Sequence, residues 1–133
     1  MAALAATYHQ QGQSKEAEEI YIEVLELRKE VLIEVLELRK EVLGEKHPDT
    51  IRSMASLAAI YYQQDRSKEA EEIYVEVLEL RKEVLDEKHP DTIQSMADLA
   101  ATYHQQGRSK EAEEVKLEVL DLRKEVLGSI KGG

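Results

Sequence analysis

Apolar residues along the chain fall at helical spacings, and the same order of small, large and charged positions returns at a fixed interval. Met54-Ala-Ser-Leu57-Ala58 recurs as Met96-Ala-Asp-Leu99-Ala100, 42 residues later. Lys68-Glu-Ala-Glu-Glu72 recurs as Lys110-Glu-Ala-Glu-Glu114, and His47-Pro-Asp-Thr50 as His89-Pro-Asp-Thr92, both at the same interval. The first unit opens on Met1-Ala-Ala-Leu4-Ala5, 53 residues before Met54, and so holds 11 residues more than the period. The surplus is plain in the text: Ile22 to Leu32 reads IEVLELRKEVL, and Ile33 to Leu43 repeats it without a mismatch. The chain divides as a single array of three units, 1–53 with its duplicated segment 33–43, 54–95, and 96–133.

Each unit parses as two helices. Pro48 and Pro90 suit a first helical turn, and Asp49 and Asp91 favour the positive end of the helix dipole. Helix A is expected over about Pro48–Gln63 and Pro90–Gln105. Gly12, Asp65 and Gly107 mark tight turns, and Ser14, Ser67 and Ser109 follow as N-caps. Helix B then runs to about Leu85 and Leu127, and in the first unit from Ser14 to Leu43 without a break. Short turns make consecutive helices antiparallel neighbours, an all-α architecture.

In the middle unit Leu57, Ala58, Tyr61, Ala70 and Tyr74 fall at the spacings of the Leu, small, aromatic, Ala and aromatic positions of the tetratricopeptide repeat. Leu4, Ala5, Tyr8, Ala17 and Tyr21 match in the first unit, and Leu99, Ala100, Tyr103 and Ala112 in the third. The sequence resembles that family in its 42-residue variety. Its L-R-K-E-V-L-(G/D)-E-K-H-P-D-T segment is similar to the junction of kinesin-light-chain-type repeats, and to tandem arrays of fungal and bacterial NTPase receptors. The resemblance implies a helix-turn-helix solenoid, a right-handed superhelix of three repeats, working as a scaffold for protein–protein interaction. Small residues such as Ala58 and Ala70 let paired helices approach closely, and stacked units bury what one unit cannot. Lys116 stands where Tyr21 and Tyr74 stand, which suits a terminal unit with nothing packed on it. Both ends read as cut. Met1 falls part-way into helix A and no capping helix follows Leu127, as in an excised fragment or a designed chain.

Composition narrows the function. Twenty-eight Asp and Glu against 18 Lys and Arg give a net charge of −10, which argues against nucleic acid and anionic membrane surfaces as partners. The chain has no Cys, hence neither disulfides nor a thiolate metal site, and it shows no signal-peptide pattern or transmembrane run. A cytoplasmic protein is expected. His9, His47, His89 and His104 are dispersed by the repeat, so no metal or other cofactor is expected. His47 and His89 share a position beside the helix-starting Pro and suggest a shared structural or capping role. No phosphate loop, catalytic triad or desolvated carboxylate pair is evident, and Tyr8, Tyr61 and Tyr103 read as core aromatics, so the chain is not expected to be an enzyme.

Two surfaces remain as candidate interaction sites. Eleven residues advance a helix by about 1100°, roughly 20° past three turns, and by about 16.5 Å. The duplication therefore lengthens the first helix B, to about 45 Å, without turning its apolar stripe to a new face. The second helix A is then expected to cover only the distal half of the long helix. Ile33, Val35, Leu36, Leu38, Val42 and Leu43 add apolar area that predicts self-association, a dimer first of all, by twofold packing or by exchange of helices. The alternative is a peptide-binding adaptor using the concave helix-A groove. Its residues are Arg52, Ala55, Ala59, Tyr62 and Gln63, then Gln94, Ala97, Ala101, His104 and Gln105, with Ala2, Ala6, His9 and Gln10 in the first unit. Ala55-Ser56 and Ala97-Asp98 replace the Asn pair common in kinesin-light-chain-type grooves, which removes amides that would bind a peptide backbone.

Overall fold

The computed structural model describes the backbone of residues 2–132 and the side chains of residues 12–129. Five helices follow one another: α1 (Ala2–Val42), α2 (Pro48–Gln63), α3 (Ser67–Val84), α4 (Pro90–Gln105) and α5 (Ser109–Gly132). Each packs on the next, α1 on α2, α2 on α3, α3 on α4 and α4 on α5. Helices α2 and α3 make the second unit, α4 and α5 the third.

Local chemistry sets the boundaries. His47 and His89 are the N-caps of α2 and α4, and the backbone N–H groups of Asp49 and Asp91 donate to their Nδ1 atoms at 3.1 Å. At the other end of α2, Asp65 adopts φ 62°, and the Arg66 N–H donates to the Tyr61 carbonyl at 2.8 Å. Gly107 (φ 79°) and Arg108 close α4 in the same way onto Tyr103, at 2.9 Å, so both turns satisfy the last carbonyls of a helix A through a left-handed residue. The turn is so short that Arg66, with no side-chain capping bond among the described residues, becomes the N-cap of α3. Ser67 and Ser109 are therefore the first helical residues rather than caps, and Ser14 lies inside α1.

Among the described residues three buried clusters hold the array. Ala58, Ala70, Tyr74 and Leu99 pack together between α2, α3 and α4, the two alanines with no exposed surface. Ile51, Met54 and Val77 form a second cluster, against which Leu36 of α1 packs. Ile93, Met96 and Val119 form the third. An arginine ties each helix B to the next helix A. Arg39 donates to the Asp49 carbonyl (3.1 Å) and the Ser53 hydroxyl (2.6 Å). Arg81 repeats this with the Asp91 carbonyl (3.3 Å) and Ser95 (2.7 Å).

The first unit departs from the expected hairpin. In place of a helix A, a turn at Gly12 and a helix B from Ser14, α1 is one continuous helix of 41 residues, about 60 Å long. Two differences account for it. Arg66 and Arg108 lock their turns by stacking on Tyr61 and Tyr103, 4.8 and 4.3 Å from the ring centroids, and by pairing with Glu69 and Glu111. The first unit has Gln13 at that position, whose amide brings no charge for either interaction. The duplication supplies the second difference. Counting back 42 residues from Ala70 and Tyr74 reaches Arg28 and Leu32, so Ala17 and Tyr21 lie 11 residues further from the α2 seat. A first helix A folded onto Ala17 would sit about 16.5 Å along the axis, out of reach of its usual neighbour.

Candidate functional site

Helix α2 covers α1 from Leu25 onward. Leu25 is 3 % exposed, Gln64 donates to Glu26 at 2.9 Å, and Lys29 stands 5.7 Å over the Tyr61 ring. Residues 12–23 are all exposed, so the expected partial coverage of the long helix is what the fold contains. The uncovered side is an apolar stripe of Ile20, Leu27, Val31, Leu38 and Val42, each more than half exposed. Equivalent positions in α3 give its meaning. Val77 is fully buried where Val35 is half-buried, and Ile73 and Leu80 are half-buried where Val31 and Leu38 are open. The stripe is thus the side of a helix B on which its own helix A lies, here without one. Part of it forms a concavity of about 440 Å³ lined by Val24, Leu27, Arg28, Val31, Leu32 and Ser56.

The residues expected to drive self-association divide between two faces. Leu38, Val42 and Leu43 are exposed, Val42 by 77 %, whereas Ile33 and Val35 are half-buried. Leu36 packs on the Ile51–Met54–Val77 cluster and belongs to the α1–α2 contact.

Groove residues gather less completely. Tyr62, Ala97, Ala101 and His104 line a concavity of about 410 Å³ together with Lys116, Val119, Leu120 and Arg123 of α5. Ala55 and Ala59 are half-buried on α2. Arg52 is turned to its own Asp49 at 3.3 Å, and Gln63 is exposed. Gln105 donates to the Tyr62 carbonyl at 3.0 Å, so it serves the α2–α4 contact. Gln94 donates to Asp98 at 3.0 Å and borders a neighbouring concavity with Pro90, Ile93, Arg123 and Leu127. Burial holds the Asp98 carboxyl above its ordinary range, against the opposing Gln94 bond and the Arg81 charge. Burial, followed by the charges of Asp98 and Tyr62, pushes the Tyr74 phenol far above its own. Ala2, Leu4, Ala5, Ala6, Tyr8, His9 and Gln10 lie outside the residues whose side chains are described.

Lys116, Leu120 and Arg123 were missed as groove residues. The 42-residue interval could have found Arg123, which repeats Arg39 and Arg81. Among the described residues, no helix faces it to take the bond that those two make. Among the described residues no three His, Asp or Glu side chains gather as a metal site requires, and no helix is long and apolar enough to cross a membrane.

The tetratricopeptide repeat pattern matches residues 29–83 and 56–125, and a second pattern of that description matches residues 1–32. The chain belongs to the tetratricopeptide repeat family. Repeats of this family generally mediate protein–protein interaction and are generally non-catalytic. Among solved structures, one of nearly identical TPR-like repeats of a kinesin light chain of Podosopora anserina superposes with a TM-score of 0.70 at 24 % identity, over 81 % of this chain and 51 % of that one. A second structure of such repeats from the same organism gives 0.65 at 26 % identity, over 74 % and 46 %. The chain spans about half the length of these relatives. No curated protein matches it significantly.

Proposed function

We propose that this tetratricopeptide array is a non-catalytic scaffold whose lengthened first helix recruits a second copy of the chain. The observation that carries this is the open apolar stripe of α1, with Leu38 59 % and Val42 77 % exposed. An apolar stripe of that extent gains from being covered, and another copy presents the same stripe. Identical eleven-residue segments fit a designed or recently duplicated chain, and an acidic chain without cysteine fits a reducing cytoplasm. Light-scattering mass after size exclusion tests the reading. A mass well above 15.2 kDa that returns to the monomer on deletion of 33–43 supports it, and an unchanged monomer at every concentration rejects it.

A second reading is favoured by the concavity of Tyr62, Ala97, Ala101 and His104, where Lys116 and Arg123 add cationic groups to an apolar floor. There the array would be an adaptor for an acidic, apolar peptide. Such binding should fall on Tyr62→Ala, a change to which self-association is indifferent.

A further inference from the structure

Residues 1–32 match a repeat by themselves, yet α1 passes straight through the place of its turn. The chain thus carries a helix-A sequence and the helix-B face made for it on one rod, where they cannot touch. Met1 to Gln10 reads MAALAATYHQ against MADLAATYHQ for Met96 to Gln105, one difference in ten. In the third unit that sequence is α4, which seats on α5 with Ala100 and Ala112 1 % and 0 % exposed. In the first unit the equivalent face, Ala17, Ile20 and Tyr21, stands in solvent, Ile20 by 58 % and Tyr21 by 49 %.

We infer that two copies exchange these segments: their α1 helices lie antiparallel and cross beside Gly12, residues 2–11 of each covering the Ala17–Tyr21 face of the other. The inference rests on the self-association reading above, and adds a face and a geometry that the duplicated segment does not supply. The helix-to-helix contacts of the closed hairpin are recovered between copies, because an opened hairpin paired about its own turn places the same residues opposite one another. Ala58 and Ala70, which share one buried cluster, are centred on residue 64, and 53 residues earlier this centre is residue 11. Gly12 supports the straight form by being helical, whereas Asp65 and Gly107 hold the left-handed conformation at the closed turns. Gln13 supports it through its chemistry, since an amide cannot supply the guanidinium lock of Arg66 and Arg108.

The chain has no cysteine, so an introduced pair reports without interference. The double variant Ala5→Cys/Ala17→Cys is oxidised mildly and its mass is read under denaturing conditions, beside native light scattering of the same sample. Along one straight helix the two positions are about 18 Å apart, too far for a disulfide, so any bond needs a second chain or a closed hairpin. The expected result is a covalent dimer, a twofold rise over 15.2 kDa. Either single variant should stay uncrosslinked, since like positions lie roughly 18–21 Å apart across the dyad. A disulfide within one chain overturns the exchange in favour of the closed hairpin. No disulfide in a native dimer overturns it while leaving self-association through the 33–43 face intact. No disulfide in a native monomer removes both.

Discussion

His47 and His89 start α2 and α4 in a position that Ser, Thr, Asp or Asn usually fills. The Nδ1 of each ring accepts the Asp49 or Asp91 N–H, the part a side-chain oxygen plays in the common caps. Their shared repeat position next to Pro made the role legible in the sequence, because capping depends on near neighbours. His47→Ala should cost about 1 kcal/mol in urea unfolding, as loss of a cap does. Asp98 could not be read that way. Its sequence neighbours do not reveal that the packing of α4 on α3 buries it and holds the carboxyl above its ordinary range. A group whose folded pKa is raised binds its proton more tightly in the folded state, so Asp98 weakens the fold as pH rises through the carboxylate range. Asp98→Asn keeps an acceptor for Gln94 and should be more stable than the parent at neutral pH. That advantage should vanish below the carboxylate range, as comparison of urea midpoints at the two conditions would show.

At the scale of elements, α2 and α4 have the limits their sequence predicts, because proline, capping and turn residues all act within a few positions. Helix α1 does not, although Gly12 matches Gly107 in its unit. The deciding terms are distant in space: an arginine that stacks across the turn, and a neighbouring helix that an eleven-residue insertion moves away. The groove was only half legible for a related reason. Helical periodicity places Ala97, Ala101 and His104 on one face, but the wall of Lys116, Leu120 and Arg123 belongs to the following helix. The two faces of α1 also call for different substitutions. Leu36→Glu should destabilise the α1–α2 contact by about 2–3 kcal/mol, through loss of a packed side chain. Leu38→Glu should change the unfolding free energy of the single chain by no more than about 0.5 kcal/mol and lower the solution mass. Thermal unfolding beside light scattering separates the two.

Among the described residues the molecule is a stack in which each helix packs chiefly on its neighbours in sequence. Stability is therefore local, greatest in α2, α3 and α4, which have partners on both sides, and least over the exposed residues 12–23 of α1. Hydrogen exchange should find residues 12–23 poorly protected in dilute solution and progressively protected as concentration rises. The central helices should show no such dependence, and uniform behaviour along the chain would contradict this picture. One more consequence follows from the duplicated segment. Leu27 and Leu38, 61 % and 59 % exposed, and Val31 and Val42, 59 % and 77 %, are the same graduations cut twice on one ruler. Whatever lies along α1 meets two notches of identical pattern, about 16.5 Å apart and roughly 20° askew. A bound helix can slip from one to the other, so the alignment of a partner has to be fixed by the ends of the rod and not by its stripe.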